Sequence, residues 1–289
     1  MVYNSGQIKM KKLFLVLSAF VLIAFGSCKK MAGELISKDF SIENTYTDLS
    51  VHDAFDVTVC DTVSQVTVTI GENLMPKVVV EVVNNTLKIY LKPFYNITMG
   101  EAKVVIPYNA NLKEVGMSGA SSFHSDFPLV GDRVNVILTG ASNFYGSIDA
   151  NDVDINLSGA SKFYGDVWAD EIDMELSGGS DIQGNVLAVD LDLDMTGASN
   201  ANLIGAVSKL KVDLSGASNI VKQVVENRDG LACDDCEGEM SGACKAYIHC
   251  DGTIKVDLSG ASDLHFTGEG NPADSSTSGG SNIIHDVNP

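Results

Sequence analysis

Apolar and polar residues alternate strictly along much of the second half of the chain. Val153, Ile155 and Leu157, for example, alternate with Asp154 and Asn156. Successive side chains of a β-strand point to opposite faces, so this period of two predicts strands that bury one face. No stretch keeps the 3.6-residue period and the capping residues of a helix. The pattern therefore predicts an all-β fold.

A tetrad of small residues follows these strands and recurs nine times. It reads Ser or Thr, Gly, Ala or Gly, then Ser, with Cys244 in place of the last Ser in one copy, and most copies lie 19 residues apart. Glycine allows a corner with positive φ, and the hydroxyl groups can hydrogen-bond the corner backbone, so the tetrad is interpreted as structural. The repeat predicts a parallel β-helix of about nine 19-residue coils. The tetrad glycines are Gly119, Gly140, Gly159, Gly178, Gly197, Gly216, Gly242, Gly260 and Gly279.

A further apolar position lies four residues after each tetrad glycine and is aromatic in the first coils. Phe123, Phe144 and Phe163 occupy it, and we expect them to stack inside the β-helix. Residues 38–112 have a different β pattern, which predicts an N-terminal β-rich cap or irregular coils of the same solenoid. The tetrad repeat itself is assigned to residues 113–285.

The N-terminus has the pattern of an export signal. Lysines precede an apolar run that is too short for a membrane span, and Gly-Ser leads into Cys28. Residues 1–27 are therefore predicted to be a lipoprotein signal peptide, with Cys28 as the lipidated residue and 28–37 as a short linker. An ordinary cleaved signal is the alternative, and either Met1 or Met10 can be the start.

These features together resemble one known family. The lipoprotein-type signal, the segment LKIYLK, the strand-to-tetrad run VVIPYNANLKEVGMSGAS and the serial SGAS tetrads are similar to the head GIN domain family. That family was formerly a domain of unknown function, is labelled a "putative auto-transporter adhesin", and is common in envelope lipoproteins of Bacteroidetes. The resemblance covers residues 38–285. It implies a right-handed parallel β-helix and a location in the cell envelope, and it carries no catalytic residues over. We expect the anchor to lie in the outer membrane, on either its periplasmic or its surface face.

The acidic composition of the chain argues against two classes of binding partner, nucleic acids and anionic lipid surfaces. The chain has 38 acidic and 19 basic residues, a formal net charge of −19, and two arginines, Arg133 and Arg228. Nucleic-acid binding depends on clustered Lys and Arg, so the composition argues against it. An acidic protein is also poorly suited to docking on anionic lipid, and membrane attachment would therefore depend on the lipid anchor.

Four cysteines surround the one spacing of 26 residues between tetrads. They are Cys233, Cys236, Cys244 and Cys250. In an oxidising envelope they are candidates for one or two disulfides with three pairings open, or they stay free thiols. With His249, the same spacing could bind zinc. Asp234 and Asp235 would raise the thiol pKa, which disfavours a redox-active site. Cys60 stands alone.

Outward-facing acidic residues recur at the coil period. Asp154, Asp173 and Asp192 share one position of the repeat, and stacked carboxylates repel each other. A Ca²⁺ ion on these acidic columns would relieve that repulsion. Solvent and salt screening is the alternative, and no calcium-binding nonapeptide motif occurs.

Aromatic residues form a candidate ligand-binding surface. His124, Tyr145 and Tyr164 lie five residues after their tetrad glycines, opposite the buried Phe position, and Trp168 follows in the same coil. Such residues could hold a glycan or a peptide. The alternative is a surface stack that only stabilises neighbouring strands.

The sequence lacks a catalytic constellation. Its five His are scattered, neither a G-x-S-x-G elbow nor a P-loop occurs, and the acidic residues lie on repeated positions. We therefore expect a non-enzymatic envelope lipoprotein that presents a β-helix face to glycan or protein ligands. A periplasmic scaffold or accessory lipoprotein is the main alternative, because Lys29 and Lys30 rather than an acidic run follow Cys28. A polysaccharide-active enzyme is the third reading.

Overall fold

The computed structural model describes residues 30–42, 46–93, 97–222, 224–225 and 228–286. The signal segment and Cys28 lie outside these residues. Within them the chain forms strands and one 3₁₀ turn, Met75–Lys77, and no α-helix. No helix in this part of the chain has the length and apolar character needed to cross a membrane. The all-β prediction is confirmed.

The strands of the N-terminal part are β1 (Lys30–Met31), β2 (Leu35–Phe40), β3 (Asp48–Val51), β4 (Asp56–Cys60), β5 (Val66–Gly71), β6 (Val78–Val83), β7 (Thr86–Leu91), β8 (Ile97–Thr98) and β9 (Ala102–Pro107). The regular coils contain β10 (Glu114–Met117), β11 (Ser122–His124), β12 (Leu129–Leu138), β13 (Asn143–Tyr145), β14 (Ile148–Leu157), β15 (Lys162–Tyr164), β16 (Val167–Trp168), β17 (Glu171–Leu176), β18 (Asp181–Met195) and β19 (Asn200–Leu214). The C-terminal part contains β20 (Asn219–Ile220), β21 (Val224–Val225), β22 (Arg228–Asp229), β23 (Leu231–Met240), β24 (Lys245–Cys250), β25 (Ile254–Leu258), β26 (Asp263–Thr267), β27 (Ser276–Thr277) and β28 (Asn282–His285).

Consecutive coils pair in parallel and in register, one repeat apart. Val136 pairs with Ile155, and Ile155 with Met174, so equivalent positions form columns along the axis. The strands that precede the tetrads form face A, and those that follow them form face B. A third set of strand segments, exemplified by 148–150 and 167–168, forms face C. This arrangement is the β-helix that the repeat predicts.

The core is a stack of apolar columns. Phe123, Phe144 and Phe163 are fully buried, with ring centroids 5.1 and 4.8 Å apart in successive pairs. Their expected stacking is confirmed. Burying a large aromatic side chain stabilises a fold by about 2–3 kcal/mol, so this column contributes substantially to the early coils.

Residues before Glu114 mix two arrangements. β3 and β4 pair in parallel with β10 and β11, so they continue the solenoid below the first tetrad. β6 and β7 form an antiparallel hairpin. β2 pairs antiparallel with β5, and it begins at Leu35, inside the segment expected to be a linker. The N-terminal end of the solenoid is therefore part coil and part antiparallel cap.

The tetrad makes the tight corner between faces A and B. All nine tetrad glycines have φ between +72° and +92°, a region that side chains rarely adopt. Gly119 lies against Asp53, and every later tetrad glycine lies directly against the one before it: a Cβ on Gly178 would lie 2.6 Å from the Gly159 carbonyl oxygen. The last serine of the tetrad points inward, and the Ser161 hydroxyl, fully buried, donates to the Ser158 carbonyl at 2.8 Å. The structural interpretation of the tetrad agrees with this geometry.

Two adjacent glycines give a matched test of this corner. We expect Gly178→Ala to lower the free energy of unfolding by about 2 kcal/mol, because it combines a positive φ with a backbone clash. At Gly179 an added Cβ meets nothing closer than 3.8 Å, and other tetrads carry Ala there, so Gly179→Ala should be neutral or slightly stabilising. Urea unfolding measures both. Equal effects of the two substitutions would contradict the account of the corner.

Candidate functional site

His124, Tyr145 and Tyr164 form an aromatic column on face B. β11, β13 and β15 hold them in register, one per coil. The rings are nearly parallel, at 6° for each pair, with centroids 4.5 and 5.0 Å apart. His124 Nε2 lies 3.1 Å from Asp56 Oδ1, which fixes the lower end of the column.

This stacking determines what the aromatic column can offer to a ligand. Because each ring covers its neighbour, the faces inside the stack are not accessible, and the rings present edges and polar tips to solvent. Tyr145 is 37% exposed. A sugar ring held by its C–H face needs an open aromatic face, which the middle of this column lacks. The geometry fits a strand-stabilising stack with hydroxyl groups at its rim.

Trp168 does not join the aromatic column. It lies on face C, in register with Asp149 one coil below and Leu187 one coil above. Trp168 is 39% exposed, Leu187 57% and Val189 48%. Ala206, also exposed, follows Leu187 in the same column. We call Trp168, Leu187, Val189 and Ala206 the apolar patch.

Acidic side chains surround the apolar patch. Asp149 and Asp170 are exposed beside it, and Asp166 accepts hydrogen bonds from the backbone and side chain of Asn185 at 3.0 and 2.7 Å. The sequence pattern identified Trp168 as a candidate but not Leu187 or Val189. The signal was available, because the 19-residue period places Leu187 directly above Trp168 at an outward position.

Face A is lined by columns of charge. Asp154, Asp173 and Asp192 stack in register, and Lys211 continues the column. Both ends of the carboxylate run are neutralised: Arg133 Nη2 lies 2.7 Å from Asp154, and Lys211 Nζ lies 2.7 Å from Asp192. A shallow groove of about 540 Å³ crosses this face and contains carboxylates and lysines of the same columns.

Asp173, between the two neutralised carboxylates, has a perturbed pKa. Partial burial, followed by the charges of Asp154 and Asp192, raises the pKa of its carboxyl group above the ordinary value. Among the residues the structure describes, no group of three or more His, Cys, Asp or Glu side chains could hold a metal ion. The acidic columns therefore supply no Ca²⁺ cage, and salt bridges within face A reduce the repulsion.

The structure separates the four clustered cysteines. Cys233, Cys236 and Cys250 are buried together at one corner of the coil, and none of the described cysteines is in a disulfide. Cys244 takes the place of the last serine of its tetrad, and its thiol donates to the Ser241 carbonyl at 3.1 Å, as the serines do. His249 faces outward, with Nδ1 3.0 Å from the Thr267 hydroxyl. Cys244 therefore occupies a tetrad corner, whereas the other three clustered cysteines lie together at a different corner.

The fold and its surfaces define a class, a parallel β-helix whose outward residues form exposed columns along the axis. A family model described as "Putative auto-transporter adhesin, head GIN domain" matches residues 45–221 and 164–270. The chain belongs to that family. No curated protein matches the sequence.

Solved structures share the fold. A "putative adhesin" from Parabacteroides distasonis ATCC 8503 is 21% identical with a TM-score of 0.56, covering 88% of this chain and 96% of that one. A second, from Parabacteroides merdae ATCC 43184, is 17% identical with a TM-score of 0.53, covering 88% and 97%. A "putative lipid binding protein" from P. distasonis ATCC 8503 is 18% identical with a TM-score of 0.57, covering 87% and 96%. At these identities the likeness establishes the fold alone.

The raised pKa of Asp173 makes a testable prediction about stability. A group with a raised pKa binds its proton more strongly in the folded state, so its charged form destabilises the fold at higher pH. We expect Asp173→Asn to raise the free energy of unfolding at pH 7 and to have no effect at a pH well below 3.8, where the carboxyl is protonated in both states. Urea unfolding across this pH range measures the difference.

Asp149→Asn is the control for this prediction, because Asp149 has Val130 and Trp168 rather than carboxylates as its register neighbours. Its effect on the free energy of unfolding should be close to zero. If Asp173→Asn destabilises the protein at pH 7, the electrostatic account of face A is wrong.

Proposed function

We propose that this protein is an exported, lipid-anchored binding module of the cell envelope. It acts without catalysis and holds a protein ligand by non-covalent contact with the outside of the β-helix. The observation that carries the proposal is the apolar patch on face C. Exposed apolar residues clustered on a strongly charged protein mark interaction sites.

The composition of the apolar patch favours a protein partner over a glycan. Leu187, Val189 and Ala206 supply aliphatic surface, and Trp168 supplies a large aromatic side chain of the kind that dominates binding energy. A glycan would need more hydrogen-bonding groups around an open aromatic face. The acidic rim and the net charge of −19 favour a partner surface with apolar side chains ringed by Lys or Arg.

Several observations support a role without catalysis. The family is described as an adhesin. Asp173, whose carboxyl pKa is raised, lies between Asp154 and Asp192, and both of these carboxylates are held in salt bridges, so neither of its stacked neighbours is a free carboxylate. Glycosidase chemistry would require a free acid and base pair in a cleft.

Binding by the apolar patch can be tested with surface substitutions. The purified mature protein would be screened on arrays of glycans and of extracellular and envelope proteins, and the strongest partner measured by biolayer interferometry. We expect Trp168→Ala to weaken binding about 30-fold, equivalent to a hot-spot loss of ~2 kcal/mol. Val130→Ala is the matched control, because Val130 is 49% exposed in the same column two coils away.

The outcomes separate the candidate surfaces. Loss of binding to a basic protein in Trp168→Ala, with Val130→Ala unchanged, supports the proposal. Glycan binding that requires Tyr145 and Tyr164 but not Trp168 contradicts it and assigns the ligand site to the aromatic column. Unchanged affinity in Trp168→Ala also contradicts it.

The location of the protein requires a separate experiment. We expect protease treatment of intact cells to digest the protein, as judged by immunoblotting, and Cys28→Ala to release it from the membrane fraction because the acyl chains are its anchor. An internal periplasmic protein that stays intact is the control for membrane integrity. Protection of this protein until the outer membrane is opened would contradict a surface role and favour the periplasmic scaffold, whose partners cross-linking would identify.

A further inference from the structure

Three buried thiols meet at the corner that joins faces C and A. Cys233 and Cys250 are register partners on the adjacent parallel strands β23 and β24. Cys236 follows Cys233 along the same strand, and Asp234 and Asp235 between them are both exposed. The exposed fractions of Cys233, Cys236 and Cys250 are 4%, 2% and 0%.

Cys233 is the thiol that touches both of the others. Hydrogen bonding to Cys236 raises the pKa of Cys233, and hydrogen bonding to Cys233 together with burial raises the pKa of Cys250. Residues paired on adjacent parallel strands lie about 4.8 Å apart. That separation falls within the 4.4–6.8 Å range of Cα distances that a disulfide requires.

The three thiols also adjoin the irregular part of the repeat. Successive tetrads are 26 residues apart between Gly216 and Gly242, against 19 from Gly140 to Gly216. A bond from Cys233 to Cys250 would join two consecutive coils next to this long connection. It would close a larger loop than a bond to Cys236, and larger loops give more stabilisation of the folded state.

We propose that Cys233 and Cys250 form a disulfide that joins consecutive coils, with Cys236 as a reserve partner for Cys233. The oxidant is a disulfide of the envelope, either a protein disulfide or a small-molecule one. One cysteine thiolate attacks the oxidant and forms a mixed disulfide, releasing the first thiol. The second cysteine thiolate then attacks the mixed disulfide at the first cysteine, forms the Cys233–Cys250 bond and releases the second thiol. Two protons and two electrons leave the pair, and the oxidant is reduced to two thiols.

Burial determines when this reaction takes place. The thiolate is the attacking species, and both cysteines are enclosed with raised pKa values in the folded chain. Oxidation is therefore fast while the coil is still open and slow once it has closed. Cys244, which is hydrogen-bonded within its tetrad, takes no part.

The pairing is tested on the exported full-length protein, quenched in acid, alkylated without reduction and mapped by mass spectrometry. We expect one peptide pair that joins Cys233 to Cys250 and is lighter by two hydrogen atoms than the reduced pair, with Cys236 and Cys244 alkylated after unfolding. Cys233→Ala should abolish every disulfide in the cluster. Cys250→Ala should shift the bond to Cys236, and Cys244→Ala is the matched control that should leave the pairing unchanged.

The timing is tested with reduced protein and oxidised glutathione. Oxidation of the Cys233–Cys250 pair should be more than about tenfold slower in the folded protein than in urea, because the rate depends on the accessible thiolate fraction. Cys60, which is partly exposed, reports that the reagent is active. Free thiols at all four clustered cysteines of the exported protein, a Cys233–Cys236 bond in the wild type, or a disulfide in the cluster that survives Cys233→Ala would each overturn the proposal.

Discussion

The close contact between successive backbones at the tetrad corner is the constraint on which the structure depends. From the second tetrad onward, each tetrad glycine packs against the carbonyl oxygen of the preceding one, and the next residue along donates its N–H to that oxygen: Ala160 donates to Gly140 at 2.7 Å. A Cβ at the glycine would separate the coils there. Because the same contact recurs in every coil, it sets the register of all the strands that follow and precede it.

A fixed register makes the surface of this protein a set of columns. Whatever residue occupies a position in one coil meets its equivalent in the next, so carboxylates oppose carboxylates and rings stack on rings. On face A, cations at the two ends of the carboxylate column reduce the repulsion: Arg133 pairs with Asp154, and Lys211 pairs with Asp192. In the aromatic column the same register turns the ring faces toward each other and away from ligands.

The fold was predictable from the sequence because, in a solenoid, residues one repeat apart pair on adjacent strands. The repeat period therefore gives the strand register directly. The buried Phe column follows from Phe123, Phe144 and Phe163 occupying one position of a 19-residue repeat. Ring orientation does not follow, since it depends on rotamers that spacing leaves open, and this is why the spacing of Tyr145 and Tyr164 is compatible with both a ligand-binding surface and a strand-stabilising stack. The separation of Cys244 from the other cysteines could have been read from its place in the tetrad, but proximity in sequence suggested a single cluster.

The two proposed sites, the apolar patch and the buried thiols, lie where the residues depart from the pattern of the regular coils. Polar residues occupy most outward positions, and their contacts with equivalent residues of the next coil leave fewer polar groups free for a ligand. Trp168 and Leu187 are exceptions on face C, where they place apolar side chains in solvent. Inside the adjoining corner, Cys233 and Cys250 place thiols where most other coils bury hydrocarbon side chains. Apolar surface that stays exposed to solvent does not contribute the roughly 25 cal/mol per Å² of stabilisation that burial would give. Because the stability of this protein is distributed over many equivalent coils, the fold tolerates the missing stabilisation at the apolar patch. The patch is therefore left exposed, where a partner can cover it.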